Sequence, residues 1–453
     1  MTFRTPHAWL CLVSGAALLV GCGSAQQPEE EGSQDEPDAA DLDCEEGVPL
    51  AQEMSSGSTW SMCFSVDSEK GAVLSDIHFA PVDRDPLPVI REMALAQMEV
   101  PYDDGERLTS DITEAGFGGT RMHTLTDTEC AGDLVDVPVP NIGDGTEFGE
   151  TPDREVLCSE IIDSGLAFRS FSDGTLTADR GDVWTLSTIS KVGWYEYISE
   201  YNFGSDGSIS PALGATGDLS PVDYTDPEHG WPIGDEDADY AASHSHNVVW
   251  KIRWGLGEDE AQEVEQFDAD PTGESGPESP ILEGTLSSID EPSVHEGQER
   301  RWWRVLAPEV LNDNGHPISY QISLGKTDSF TYAHDEEHHG EETGYDVAFT
   351  NYDECQQFAT ENRGGCGSGV LDYVDEGEGD PLEDIVSWVA VGYHHVPRDE
   401  DQSPMEVHWQ SFDVIPRDLT STRADVPEER EGIDGEPEDS EFTEEREELD
   451  GHH

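Results

Sequence analysis

Between about residues 44 and 417 the chain consists of short β-rich runs broken by Gly and Asp turns, with almost no sustained 3.6-residue periodicity. A sequence patterned this way has no helix face on which to bury its apolar side chains. It must pair strands and stack the resulting sheets. Val192–Phe203, the turn Asp206-Gly207 and Ser208–Leu219 read as a hairpin. Val248–Trp254, Ile318–Leu324 and Ile385–Tyr393 read as further strands, and the acidic, Gly/Pro/Ser-rich stretch Glu258–Glu299 as an insertion between strands. No internal repeat is visible. The expected fold is all-β, one large and mainly antiparallel sandwich over residues 44–417.

Charge limits the partners. The 453 residues include 101 acidic and 22 basic ones, a formal net charge of −79, and lysine occurs only as Lys70, Lys191, Lys251 and Lys326. Such a field repels nucleic acid and anionic lipid and attracts cations. It also suits a salty medium, where screening relieves self-repulsion. At the N-terminus, Arg4 and His7 precede an apolar run from Ala8 to Val20, too short for a spanning helix and typical of a signal-peptide core. The run ends in Leu19-Val20-Gly21-Cys22, which resembles a bacterial lipobox. Residues 1–22 are then a lipoprotein signal peptide, and Cys22 is the lipidated first residue of an exported chain held at the cell envelope by its lipid alone.

Residues 23–43 and 418–453 are acidic and poor in apolar residues, and read as a disordered tether and tail. Apart from Cys11 and Cys22, six cysteines remain, and an even number in an exported chain reads as disulfides. Sequence order suggests Cys44–Cys63, Cys130–Cys158 and Cys355–Cys366, although six cysteines allow many other pairings. The chain has no C-x-x-C, which argues against a zinc ribbon or a thioredoxin-type site.

His244-Ser245-His246 is the constellation that carries most chemistry. Alternate residues of a strand share a face, so an H-x-H sets two imidazoles side by side. A third imidazole from a distant strand would complete an all-nitrogen site, which suits copper or zinc better than calcium or magnesium. A further pair stands at His394 and His395, while His334, His338 and His339 lie in an acidic loop and read as solvated. A zinc hydrolase is the weaker reading, because no glutamate stands at a spacing such as H-E-x-x-H.

Several segments, in order, resemble the catalytic domain of the copper amine oxidases, from about Trp60 to Pro416. Arg91-Glu92-Met93-Ala94-Leu95-Ala96-Gln97-Met98-Glu99-Val100-Pro101-Tyr102 is similar to the family's R-x-S-L-x-E-M-x-V-P-Y. Asp111-Ile112-Thr113-Glu114-Ala115-Gly116-Phe117-Gly118 is similar to the D-x-G-E-Y-G-x-G that carries the catalytic base. Val192-Gly193-Trp194-Tyr195-Glu196-Tyr197, with Asp206-Gly207-Ser208-Ile209 and Gly214-Ala215-Thr216-Gly217, resembles the hairpin of the cofactor tyrosine. Glu383-Asp384-Ile385-Val386-Ser387-Trp388 and Gly392-Tyr393-His394-His395-Val396-Pro397-Arg398 resemble the closing D-I-V-x-W and G-x-x-H-x-P-R motifs.

The resemblance implies a set of roles. His244, His246 and His395, not His394, would bind copper. Tyr195 would be oxidised to topaquinone, which captures a primary amine as a Schiff base. Asp111 would be the proton acceptor, Tyr102 would orient the quinone, and Cys130–Cys158 would match a family disulfide. The substrates would be a small primary amine and O₂, and a homodimer is expected. The chain also departs from the family pattern. Trp194 replaces an Asn, Lys191 a Thr, and Thr113 and Ala115 the Gly and Tyr of the base motif. Arg253, Trp254 and Gly255 occupy the place of a peripheral Asp-x-Asp, which implies that the second, calcium-type site is absent and that Arg253 pairs with Asp384. The competing expectation is a catalytically impaired copper-binding surface lipoprotein on the same fold.

Overall fold

The computed structural model describes residues 42–140, 153–172, 175–219, 227–234, 240–258, 261–327 and 345–426, all within one compact unit that spans residues 37–453. Cys22, the residues 427–453 of the expected tail, and His334, His338 and His339 lie outside the described residues. Two large antiparallel sheets dominate. In the first, strands Val48–Glu53, Thr59–Asp67, Gly71–Ala80, Leu87–Pro101, His244–Trp254, Ile385–His395, Val347–Asn351 and Ser293–His295 are neighbours in that order, and Leu108–Ser110 also pairs with Leu87–Pro101. The second, ten-stranded sheet contains Met405–Arg417, Ile209–Gly217, Tyr195–Gly204 and Thr175–Val192 as successive central strands.

The sheets meet over one continuous core. Trp60 of the first sheet lies 5.1 Å from Phe203 of the second, and Trp250 5.4 Å from Phe412. Two of the buried indoles satisfy their polar ends: Trp60 donates to the Gly204 carbonyl at 2.9 Å and Trp254 to Ser387 Oγ at 2.8 Å. In Tyr195–Gly204 burial alternates as far as Phe203, so Tyr195, Tyr197, Ser199, Tyr201 and Phe203 point inward. Strand His244–Trp254 is instead buried on both faces. Its outer face is covered by a second small core that includes Val370 and Tyr373 of helix Val370–Glu376.

Three sequence readings are refined and a fourth is borne out. Val192–Phe203 is not one strand. Thr175–Val192 and Tyr195–Gly204 are separate strands joined by the two-residue turn Gly193-Trp194, with Gly193 at φ +60°. Gly193 supplies the left-handed backbone there, a conformation in which any side chain would be strained although the space around it is open. Glu258–Glu299, read as an insertion between strands, itself adds strands to the second sheet. It holds the hairpin Glu263–Ser275 and Pro280–Ile289, largely exposed on both faces and therefore lacking an apolar alternation to read. The start of the expected tail is packed, with Leu419, Ala424 and Asp425 buried and the Ala424 carbonyl accepting from Val82 N–H at 3.0 Å. The disulfides follow sequence order: Cys44–Cys63, Cys130–Cys158 and Cys355–Cys366. Cys130–Cys158 closes a loop with a sequence separation of 28, a crosslink worth about 3 kcal/mol against the unfolded chain.

Candidate metal centre and active site

Register builds the centre. His244 stands directly across from His395 in the first sheet, and His246 lies two residues along the same strand, so the three imidazoles share the inward face. All are buried. His394 pairs with Ser245, faces the other way and contacts the Asp103 carboxylate at 3.1 Å. One nitrogen from each of His244, His246 and His395 lies within 4.8 Å of the others.

Hydrogen bonds decide which nitrogens face inward. His244 Nδ1 is 2.9 Å from the Ala242 carbonyl, which only a proton on Nδ1 can satisfy, and this leaves the lone pair on Nε2. His395 Nε2 is 3.1 Å from Asp401 Oδ2, which leaves the lone pair on Nδ1. His246 Nε2 is buried and has no hydrogen-bond partner among the described residues. Burial, reinforced by the neighbouring His395, pushes His244 down to about 3. Burial likewise holds His246 well below, and His395 below, the ordinary histidine range. Three neutral imidazoles with converging lone pairs form a donor set that fits copper.

The tyrosines come from the opposite sheet. Tyr195 presents its hydroxyl 2.7 Å from His244 Nε2 and 3.3 Å from His395 Nδ1, against the two nitrogens that carry the inward lone pairs. Its ring stacks on Tyr197 at 5.8 Å, and Tyr197 stacks on Phe117 at 5.1 Å. Tyr197 donates to Asp111 Oδ2 at 3.2 Å and lies 3.4 Å from His246 Nδ1. Asp111 opens a short helix and is 8% exposed. Desolvation raises its carboxyl from the ordinary 3.8 to about 6, although hydrogen bonds from Thr109 and Tyr197 and the nearby Arg107 act in the opposite direction. Tyr102 lies face to face with His244 at 5.0 Å and carries the Arg107 guanidinium 3.5 Å above its ring.

The departures from the family pattern also find places. Trp194 sits in the turn, 48% exposed, with its indole outside the core. Lys191 Nζ donates to Glu196 at 2.6 Å, and His123 contacts the same carboxylate at 2.7 Å. Arg253 forms two hydrogen bonds to Asp384, at 3.0 and 2.6 Å, and its guanidinium lies 3.6 Å from the Tyr352 ring centroid. The Arg253 guanidinium thus stands at the position where the resemblance would put a peripheral ion.

Two other groupings of ligand-type side chains occur among the described residues. Asp353, Cys355 and Cys366 offer no thiolate, because the cysteines are bonded to each other. His395, Asp401 and His408 share a residue with the main centre, and the His395 nitrogen involved is turned to Asp401. They form a shell behind the centre rather than a second one. Tyr197 and Asp401 were missed in the sequence. Tyr197 could have been found by the alternation that located His246, since it lies two residues from Tyr195. Asp401 is one acid in a run of them and carries no such signal.

The sandwich interface thus sets three neutral histidines against a buried tyrosine, with a raised carboxyl close by, a donor set that could hold a metal ion. The chain belongs to the copper amine oxidase family: residues 52–430 match that family's enzyme domain. It is 24% identical over 388 residues to the histamine oxidase of Arthrobacter globiformis, covering 79% of this chain and 54% of that one. It is also 24% identical over 371 residues to a primary amine oxidase of Arthrobacter sp. (strain P1), covering 76% and 55%. The chain therefore spans about half the length of the curated relatives it matches. In fold it is similar to a copper-containing benzylamine oxidase from Hansenula polymorpha, with a TM-score of 0.69, 21% identity, and coverage of 83% of this chain and 62% of that one.

Proposed function

We propose that the protein is an exported copper/topaquinone amine oxidase, converting a primary amine, O₂ and water to an aldehyde, ammonia and hydrogen peroxide. The observation that carries this reading is the Tyr195 hydroxyl lying 2.7 and 3.3 Å from the inward nitrogens of His244 and His395. Copper bound by His244, His246 and His395 would supply the oxidising chemistry that turns the Tyr195 ring into a quinone electrophilic towards amines.

The chain's own residues do the rest. The buried pocket keeps the three imidazoles neutral and excludes water from the phenol. Asp111, its carboxyl raised to about 6, is suited to accept the proton from the carbon beside the substrate nitrogen and is ionised at neutral pH. Tyr102, flat against His244, lies beside the site, where it is suited to the quinone-orienting role that the family resemblance implies. The outward position of Trp194 supports cofactor formation, because its indole does not stand in the ring's way. The Arg253–Asp384 pair supports the absence of the peripheral calcium-type site. Export and lipid anchoring rest on Cys22 and the apolar run before it. Acyl chains on Cys22, seen by mass spectrometry of the native N-terminus, would support them, and an unmodified N-terminus elsewhere would leave a plain secreted enzyme.

Metal-free protein given copper and air is expected to develop a visible quinone band and to be labelled by phenylhydrazine on the peptide that holds Tyr195. If that peptide keeps the mass of unmodified tyrosine under full copper loading, the oxidase reading fails. A catalytically impaired copper-binding surface lipoprotein then takes its place.

A further inference from the structure

We propose that Tyr197 couples the carboxylate of Asp111 to the metal ligand His246, setting His246 with its proton on Nδ1 and its lone pair on Nε2. This rests on the functional reading above. His244 and His395 each hand one ring proton to a fixed acceptor, Ala242 O and Asp401 Oδ2. The Nδ1 of His246 has a different neighbour, the Tyr197 hydroxyl at 3.4 Å, and that hydroxyl has one proton to give. An ionised carboxylate accepts only, and a hydrogen bond to it is the stronger of the two on offer, so the phenol donates to Asp111 Oδ2 at 3.2 Å. The phenol oxygen can then only accept from His246. The direction runs His246 Nδ1–H to Tyr197 Oη–H to Asp111, and the buried, unpartnered Nε2 is left for the metal.

Tyr197 is thus a positioning residue for His246, and it is the one that ties the metal centre to the proton acceptor. When Asp111 has taken a proton it no longer needs the phenol's, and the hold on His246 slackens. Orienting partners of metal-bound histidines are typically worth about 10–100-fold in metal affinity.

The test is a double-mutant cycle on the full chain, read by chelator competition for copper and by the copper(II) EPR spectrum rather than by turnover. Tyr197→Phe is expected to weaken copper about tenfold and shift the spectrum. Asp111→Asn, which touches no ligand, is expected to weaken copper and shift the spectrum in the wild-type background but to change neither in the Tyr197→Phe background. Equal effects of Asp111→Asn in both backgrounds, or none in either, overturn the coupling. If Tyr197→Phe does not fold, Asp111→Asn alone decides, and an unchanged spectrum overturns it. Wild-type protein that takes up no copper would instead bring down the functional reading, a result distinct from a failed cycle.

Discussion

His395→Ala is expected to abolish stoichiometric copper binding, while His394→Ala leaves it intact, as measured by metal analysis after copper loading and dialysis. The two residues are neighbours in sequence but stand on opposite faces of one strand. His395 is in register with His244, almost fully buried, and held by Asp401 so that its Nδ1 points inward. Removing it leaves two imidazoles on a single strand, and two nitrogens cannot complete the compact site that three neighbouring ones form. Substitution of His394 costs only a partly exposed contact to Asp103, a pair of the kind that contributes little to stability. The reverse result would mean that the metal approaches from the outer face, and the assignment of all three ligands would fall with it.

Asp111→Asn is expected to lower kcat/KM by about a hundred- to ten-thousand-fold, the range for loss of a positioned general base. The wild-type profile should fall on its acid side with a midpoint near the raised carboxyl value of about 6, because only the ionised form accepts a proton. The same substitution should stabilise the fold. The folded value lies above the ordinary 3.8, so above about pH 6 the ionised carboxylate opposes folding. That opposition fades as pH falls towards 4 and is gone below it. Asn, which carries no charge, should therefore gain up to about 3 kcal/mol at pH 7 in denaturant unfolding, with the gain disappearing near pH 4. An active, unstabilised variant would place the base elsewhere.

The sequence foretold different parts of this protein by different physics. Histidines 244 and 246 were legible from spacing alone, because the two-residue period of a strand is strict. His395 was not. Nothing local distinguishes it from His394, and only the motif around it, G-x-x-H-x-P-R, selected the imidazole that shares the inward face with His244 and His246. The core strands declared themselves through alternation, as in Tyr195–Gly204. The hairpin Glu263–Ser275 and Pro280–Ile289 stayed hidden because most of it is exposed on both faces, and a ladder of backbone hydrogen bonds leaves no apolar trace in the side chains. The break at Gly193-Trp194 was masked by the bulky residues on either side of it, which continue the pattern of a strand across a tight turn. Asp401 was unreadable for another reason: among 101 acidic residues, the one that orients a ligand looks like all the others.

The three histidines belong to one sheet and Tyr195 to the other, so neither sheet alone holds a working centre. Under the proposed function, oxidation of the tyrosine would therefore require the two layers to have docked in their final registry. The quinone colour expected of that function would then be a tally of correctly closed molecules. A chain with native strand content but a slipped interface would stay colourless, and a batch of protein could be graded for tertiary order simply by how deeply it is tinted.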